Sequence, residues 1–189
     1  MGSGRNGSFD LSPDLQQWAL LATWDNSKAF HNFYRTSFVA RWWKSFCYEQ
    51  WTILGSPLSG HGKWDNIYPF EYEQEEGYEG PIAVLTRATI RLNRLKEFWT
   101  NVDTAAAVMA RSPGFMFSLG VGEAPVYRQA TFSIWESIEA VKNYAYNSPE
   151  HREIIHKTRA RNWYSEELFA RFKPIASFGT LNGKNPVKL

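Results

Sequence analysis

The sequence predicts an α+β fold built from two similar halves. The chain has 189 residues, of which 43% are hydrophobic, enough for one domain with its own core. Alternating apolar segments and helical segments follow one another as β-α-β-β-α-β after Pro81. Part of the same order recurs earlier in the chain at a fixed spacing, which indicates an internal repeat.

The first 70 residues predict two strands and one helix between them. Residues 1–14 are rich in Gly, Ser, Asn and Pro and predict a loop, whereas residues 18–24 are apolar and predict a strand. A broad aromatic stripe predicts a single long helix over 28–50. Residues 52–58 then predict a short strand that ends in Gly and Pro.

A polar connection follows and separates the predicted halves. Residues 59–80 contain glycine, proline and a run of acidic residues, so they predict a solvated connection. We expect residues 71–80 to link a partial first half, 1–70, to a complete second half, 81–180, with residues 181–189 as a tail.

The second half has clear signals in the order of the ferredoxin-like fold. Its predicted elements are the strand Ile82–Ile90, the helix Asn93–Arg111, the strands Phe115–Val121 and Tyr127–Trp135, the helical segments Ser137–Tyr146 and 149–163, and the strand Arg171–Phe178. The break between the last two helical segments is predicted at Asn147-Ser148-Pro149.

The two halves are related by a constant spacing. Pairing residue n with residue n+111 aligns Trp24-Asp25 with Trp135-Glu136, and Ser37 with Ser148. The first half then lacks its opening strand and helix. Two such units predict ferredoxin-like repeats that form an α+β barrel with a wide interior, and the exposed sheet edge predicts a homodimer.

Composition and charge exclude several function classes. The formal net charge is +2, so a nucleic-acid partner is not expected. Cys47 is the single cysteine, which excludes a disulfide scaffold; we expect it to be buried and inert in a reducing cytoplasm. No apolar run reaches membrane-spanning length, and the start has no signal-peptide core, so a cytoplasmic location is expected.

Two histidines of the second half have no counterpart in the first. His151 follows Ser148 and Pro149 in the first turn of a predicted helix, where the helix dipole favours a neutral ring. It shares a face with Ile154, so it is either a hydrogen-bonded core residue or a single axial ligand to haem iron. His156 shares its face with charged residues and is the alternative ligand.

Arginines on a predicted strand are candidate anion-binding residues. Arg87 and Arg91 lie on one face of their strand and either hold carboxylates, such as haem propionates, or pair with Glu97 or Glu136 at the strand's wet end. Arg128 raises the same question.

Other polar residues are candidates for the chemistry itself. Gln129 and Ser133 are predicted to supply hydrogen bonds to a bound oxygen species. The adjacent pair Glu166-Glu167 is interpreted as a solvated helical face rather than an acid/base pair.

Six sequence motifs together resemble the spheroidene monooxygenase family. They are Leu85-Thr-Arg-Ala-Thr-Ile-Arg91, Arg128-Gln-Ala-Thr-Phe-Ser-Ile-Trp-Glu-Ser137, Ala145-Tyr146, His151-Arg152, Thr158-Arg159 and Trp163-Tyr-Ser-Glu-Glu-Leu-Phe-Ala-Arg-Phe172. The resemblance covers most of the chain. Family members usually carry a further strand and helix before the position of Met1, so the chain looks shortened in comparison.

The resemblance implies a haem-dependent monooxygenase that puts keto groups on acyclic carotenoids, using dioxygen and reduced ferredoxin. In that reading haem b is bound through His151, Arg87, Arg91 or Arg128 hold propionates, and Gln129 or Ser133 contact oxygen. Aromatic side chains, among them Trp99, Phe115, Phe117 and Phe132, would line the space. An apolar substrate also implies peripheral membrane contact. The alternatives are a haem-dependent dehydratase or peroxidase of the same fold, a cofactor-free oxygenase and an apolar-ligand carrier.

Overall fold

A computed structural model describes residues 2–4, 13–73, 75–124 and 126–187, without the side chains of residues 2–4, 13, 15, 150 and 151. The strands are β1 (Gly2–Gly4), β2 (Pro13–Trp18), β3 (Trp51–Gly62), β4 (Ile82–Ile90), β5 (Phe115–Ala124), β6 (Arg128–Trp135) and β7 (Tyr164–Gly179). The helices are α1 (Ser27–Thr36), α2 (Phe38–Phe46), α3 (Leu95–Arg111), α4 (Ile138–Asn147) and α5 (Pro149–Ala160).

The seven strands form one sheet in the order β2-β1-β5-β6-β4-β7-β3, and all neighbours are antiparallel. Within this sheet β5, β6, β4 and β7 are neighbours in that order, which is the order of the four strands in the ferredoxin-like fold. The predicted α+β class is therefore confirmed. Within the described ranges, the outer edges of β2 and β3 have no strand partner.

The sheet curls strongly towards one face. Four strand spacings separate β3 from β5, which is about 19 Å in a flat sheet. The ring of Trp51 on β3 nevertheless lies 5.4 Å from that of Phe117 on β5 and 6.2 Å from that of Phe132 on β6. The concave face is thus the interior of an open barrel.

Alternation along the strands assigns each side chain to one of two faces. On β4, Ala83 and Leu85 point into the interior with Ile134 and Ala170, because successive strand residues point to opposite faces. Ile82 and Val84 point outwards and pack with Trp135, Val141 and Tyr144. The helices therefore lie on the convex face, as predicted for the barrel.

The helices of the two halves recur at one spacing. The starts of α1 and α2 are each 111 residues before those of α4 and α5. The caps correspond too: Asn26 Oδ1 accepts a hydrogen bond from the N–H of Ala29, and Ser137 Oγ accepts one from Ala140. Equivalent positions thus start equivalent helices.

Near the N-terminus, two predictions were wrong. The loop predicted over 1–14 contains β1 and the start of β2, while most of the strand predicted over 18–24 has no regular structure. Pairing of β1 with β2 and β5 provides hydrogen bonds for the polar segments, whereas Leu20 and Leu21 remain exposed.

The single helix predicted over 28–50 is two helices. Ser37 has an extended backbone, and its Oγ accepts a hydrogen bond from the N–H of Ala40, so it begins α2. Cys47, expected to be buried, is exposed just after α2. The last strand begins at Tyr164, so Glu166 and Glu167 are strand residues that point to opposite faces.

The division into two halves stays a prediction. Among the described residues of the expected 71–80 linker there is no helix or strand, although its Tyr78 hydroxyl donates to the carbonyl of Pro81. Residues 181–187 of the expected tail return to the sheet, where Val187 is buried.

Candidate functional site

A cluster of charged side chains closes one end of the barrel interior. We name it the Arg87 cluster; it consists of Arg87, Arg128, Asp65, Glu123, Glu166 and Trp64. It joins β4, β6, the end of β5, the start of β7 and the turn that follows β3.

Arg87 is the centre of the cluster and is only 1% exposed. Its Nε and Nη2 donate to Glu123 Oε2 at 3.0 and 2.7 Å, and its Nη1 donates to Glu166 Oε1 at 2.6 Å. Nη2 also lies 3.4 Å from Asp65 Oδ1, and the guanidinium stacks 4.7 Å from the Trp64 ring. Burial alone lowers the pKa of Arg87, but these carboxylates outweigh it and raise the pKa.

Glu166 binds both the arginine and a tight turn. Its two carboxylate oxygens accept hydrogen bonds from the backbone N–H groups of Asp65 at 3.0 Å and Asn66 at 2.8 Å. Both turn residues have positive φ, as a type I′ turn requires. Burial raises the pKa of Glu166, but the hydrogen bonds from Asn66, Arg87 and Asp65 leave that pKa below its usual value.

A similar turn lies at the other end of β7. Glu49 accepts hydrogen bonds from the N–H groups of Asn182 and Gly183, each at 2.7 Å, and these two residues also have positive φ. No arginine pairs with Glu49 among the described residues. Each turn is therefore capped by its own glutamate carboxylate. Among the described residues, the buried Arg87 pairs with Glu166 and no arginine pairs with Glu49.

Aromatic and aliphatic side chains fill the interior between the two ends. Its lining includes Trp51, Phe70, Phe117, Phe132, Phe172, Leu119 and Val187. Val187 is 1% exposed, and its N–H donates to Asn185 Oδ1, which also accepts from Ser177 Oγ. Ser177 and Glu166 lie towards opposite ends of β7. The interior is thus apolar and is closed by different chemistry at each end.

The predicted arginines lie at the charged end. Arg128 Nη1 is 3.2 Å from Asp65 Oδ1, while its buried Nε has no hydrogen-bond partner in the described part of the chain. Arg91 is exposed and lines an open depression of about 760 Å³ together with Tyr127 and Ser165. The structure brings Arg87 and Arg128 together; Glu97, a predicted partner, pairs with Arg94 and Arg161 instead.

The predicted oxygen-contacting residues lie on the other face of the sheet. Ser133 is buried opposite Val84 on the helix side, and its Oγ accepts a hydrogen bond from the Trp135 indole at 3.0 Å. Gln129 has the same orientation as Ser133, since they are four residues apart on β6. The sheet therefore separates both residues from Arg87.

The described residues do not assemble the predicted haem site. The nitrogens of Arg87 already donate to carboxylates, and Gln129 and Ser133 are across the sheet from it. His151 lies in the first turn of α5, on the helix side, and its side chain is outside the described set. His156 is exposed on the same helix. The predicted aromatic lining divides likewise: Phe117 and Phe132 are inside, whereas Phe115 and Trp99 pack with helices.

Four residues of the cluster were missed by sequence reasoning: Asp65, Trp64, Glu123 and Glu166. The alternation of Glu166, Leu168, Ala170 and Phe172 was a signal for a strand, and it would have placed Glu166 on the face of Leu168. Asp65 and Glu123 are distant in sequence and gave no comparable signal.

The described part of the chain contains neither a cluster of metal-binding side chains nor a helix able to span a membrane. No group of three or more His, Cys, Asp or Glu side chains there is placed to hold a metal ion. None of its helices is both long and apolar enough to cross a lipid bilayer.

The sequence is similar to known proteins over nearly its whole length. Residues 82–171 match the family model DUF3291, a domain of unknown function. The chain is 35% identical over 187 residues to a spheroidene monooxygenase of Cereibacter sphaeroides, and it spans 98% of itself and 58% of that relative. It is 31% identical to a spheroidene monooxygenase of Rhodobacter capsulatus, covering 98% of this chain and 78% of the relative.

A solved structure shares the fold. A candidate monooxygenase from Fusobacterium nucleatum superposes with a TM-score of 0.51 at 13% sequence identity, covering 88% of this chain and 72% of that one. At this identity the likeness concerns the fold alone.

Proposed function

Because this chain belongs to the spheroidene monooxygenase family, we propose that it inserts oxygen into a C–H bond of a long apolar substrate, an acyclic carotenoid of the spheroidene type. The observation that carries the proposal is the similarity over 98% of this chain to proteins of that name. The relative from Cereibacter sphaeroides is longer, since this chain spans 58% of it.

The geometry supports an apolar substrate. The interior between the Arg87 cluster and Val187 is lined by aromatic rings, which stack favourably on a conjugated polyene. Val187 and its neighbours fill this space, so binding requires them to move.

The proposed reaction has a defined balance. In each round one dioxygen, two electrons and two protons convert a C–H bond into a hydroxyl and one water. A second round at the same carbon gives a geminal diol, which loses water to form the ketone. Reduced ferredoxin, or a similar one-electron donor, is the proposed source of the electrons.

Haem b is the cofactor that the family resemblance implies, and it would supply oxygen activation. The described side chains support no haem site made from Arg87, Gln129 and Ser133 together. The prediction therefore depends on His151, with His156 as the alternative ligand. Absorption spectra of the protein purified with haem, beside His151→Ala and His156→Ala, test it. A Soret band lost only in the His156 variant would contradict the assignment of His151.

Isotope labelling tests the proposed activity. The full chain is incubated with a spheroidene-type carotenoid, reduced ferredoxin and ¹⁸O₂, and the product is analysed by mass spectrometry. We expect a ketone that carries ¹⁸O when exchange with water is kept short. Label arriving only from H₂¹⁸O would refute insertion of oxygen from dioxygen, and product formed equally well without reductant would refute a monooxygenase that takes electrons from an external donor. Turnover without a Soret band would favour a cofactor-free oxygenase.

A homodimer is proposed from one edge of the sheet. The outer edge of β3 exposes backbone groups that have no strand partner in the described ranges, and a second chain is a suitable source of a strand. Sedimentation equilibrium measures the mass directly, and a monomer at micromolar concentration would contradict the proposal.

The reducing cytoplasm is the proposed setting, since the single Cys47 is exposed and unpaired.

A further inference from the structure

Helix α2 exposes its aromatic face to solvent. Phe38, Trp42 and Phe46 follow at four-residue spacing and are 72%, 48% and 68% exposed. The rings of Trp42 and Phe46 contact each other with centroids 5.4 Å apart. Ala40, on the opposite side of the helix, is the residue that α2 buries. A surface helix ordinarily buries its apolar face, whereas α2 exposes its aromatic face to solvent.

The second half provides an internal comparison for this face. At the repeat spacing of 111 residues, Trp42 corresponds to Glu153 and Phe46 to Lys157. On α5 these two form an exposed ion pair of 2.7 Å.

The comparison also shows what does not cover the face. In the second half, α5 already packs beside α3, through Ile154, Phe98 and Val102. The Glu153–Lys157 face of α5 remains exposed beside that neighbour. A helix placed beside α2 as α3 is beside α5 would therefore leave the aromatic face of α2 uncovered, and another occupant is required.

All the acidic or basic side chains between Asp25 and Glu49 are basic. Residues 26–48 contain Lys28, Arg35, Arg41 and Lys44 and no Asp or Glu. None of these four cations forms an ion pair with a described residue. Lys44 lies over the Tyr34 ring and donates to the Tyr34 carbonyl, which leaves its charge uncompensated. Exposed Trp and Phe bordered by cations is the composition of a helix that lies on an anionic membrane surface.

We propose that α2 docks this protein on the surface of an anionic lipid bilayer, with Phe38, Trp42 and Phe46 in the headgroup region and Arg35 and Arg41 near the phosphates. The rings gain burial that the folded chain does not give them, and the cations neutralise lipid charge. The inference gives a location to the membrane contact expected for an apolar substrate, but it does not depend on the proposed activity.

Vesicle binding by the full chain tests this proposal. A polarity-sensitive fluorophore is attached to Cys47, which is the single cysteine, is exposed and directly follows α2. We expect flotation with vesicles of phosphatidylcholine and phosphatidylglycerol, a blue shift of the dye, and loss of both at high salt. Vesicles of phosphatidylcholine alone should bind much less.

Two variants separate the aromatic and the charge contributions. Trp42→Glu combined with Phe46→Lys copies the residues of α5 and leaves the net charge unchanged; we expect at least about tenfold weaker vesicle binding. Arg41→Gln should weaken binding about fivefold, because one cation near an anionic surface contributes about that factor. Arg152→Gln is its matched control, since Arg152 is the exposed counterpart of Arg41 on α5, and should change binding little.

Clear outcomes would overturn the proposal. Unchanged vesicle binding in the double variant, with native circular dichroism, excludes α2 as the docking surface. If the double variant instead converts a dimer to a monomer in sedimentation velocity while wild type ignores vesicles, a second copy covers the face. Turnover of a detergent-dispersed substrate should be equal in wild type and double variant, so failure of docking and failure of the proposed activity are distinguishable.

Discussion

Replacing Arg87 by methionine should destabilise the fold through the loss of one buried cation. Methionine fills a similar volume, but it leaves Glu123, Glu166 and Asp65 close together without their cation. Breaking a buried ion pair from one side costs about 3–5 kcal/mol. The three carboxylates are 19–47% exposed and regain some hydration, so we expect the lower end, about 3 kcal/mol near pH 7.

The loss should shrink as the pH falls. The folded pKa of Glu166 is lowered, so its contribution to stability is present above the unfolded pKa of about 4.3 and is lost as the pH falls through the folded value. Without Arg87 that lowering is smaller. The difference between wild type and variant should therefore stay constant above about pH 5 and narrow as the pH falls from about 4.3 through the folded pKa of Glu166 in wild type.

Urea unfolding followed by tryptophan fluorescence measures both effects. Lys173→Met is the matched control, because Lys173 on β7 also pairs with a glutamate, Glu75, but both side chains are at least 33% exposed. The control should cost less than about 1 kcal/mol. The reasoning is refuted if Arg87→Met costs no more than Lys173→Met, or if its cost is equal at about pH 7 and about pH 3, since the loss would then come from packing.

Three further predictions each compare two substitutions. Trp135→Phe should lower the free energy of unfolding by about 1 kcal/mol more than Trp163→Phe, because the Trp135 indole donates to buried Ser133 while the buried Trp163 indole has no hydrogen-bond partner among the described residues; equal losses would contradict this. Asn26→Ala and Ser137→Ala should each cost about 1 kcal/mol as helix caps, and a cost at one site alone would break the equivalence of the halves. Val187→Ala should cost about 1.5–2.5 kcal/mol and strengthen binding of a fluorescent apolar probe, whereas exposed Val39→Ala should change stability by less than about 0.5 kcal/mol; probe affinity that is equal in both would argue against binding in the interior.

The sequence predicted best where one local pattern sufficed. Strand β4 has the predicted bounds Ile82–Ile90, because it is bounded by Pro81 and by polar residues after Ile90. Helix α4, Ile138–Asn147, agrees with the predicted Ser137–Tyr146 to within one residue at each end. In both cases the signal lies within a few residues, and tertiary contacts reinforce the local preference.

Prediction failed where no proline or glycine marked a break, and where contacts between distant segments determined the structure. Ser37 ends one helix and begins another, although its counterpart break in the second half was marked by Pro149. The hydroxyl of Ser37 performs the same capping without a proline. The Arg87 cluster was missed because Asp65, Glu123 and Glu166 come from three separate segments, and only the antiparallel pairing of β4 with β6 and β7 brings them to Arg87.

Each end of the interior has a turn capped by a glutamate, but the two ends differ because, among the described residues, Arg87 pairs with the glutamate at one end and no arginine does so at the other. Glu166 and Glu49 each cap a tight turn with positive φ at two residues, at opposite ends of the antiparallel pair β3 and β7. Arg87 reaches Glu166 from β4, and the described residues of the first half include no strand in the equivalent position. Opening the Arg87 end breaks buried ion pairs, whereas opening the other end moves Val187 and neutral hydrogen bonds of Asn185 and Ser177. An apolar substrate entering this interior therefore meets the smaller barrier at the Val187 end.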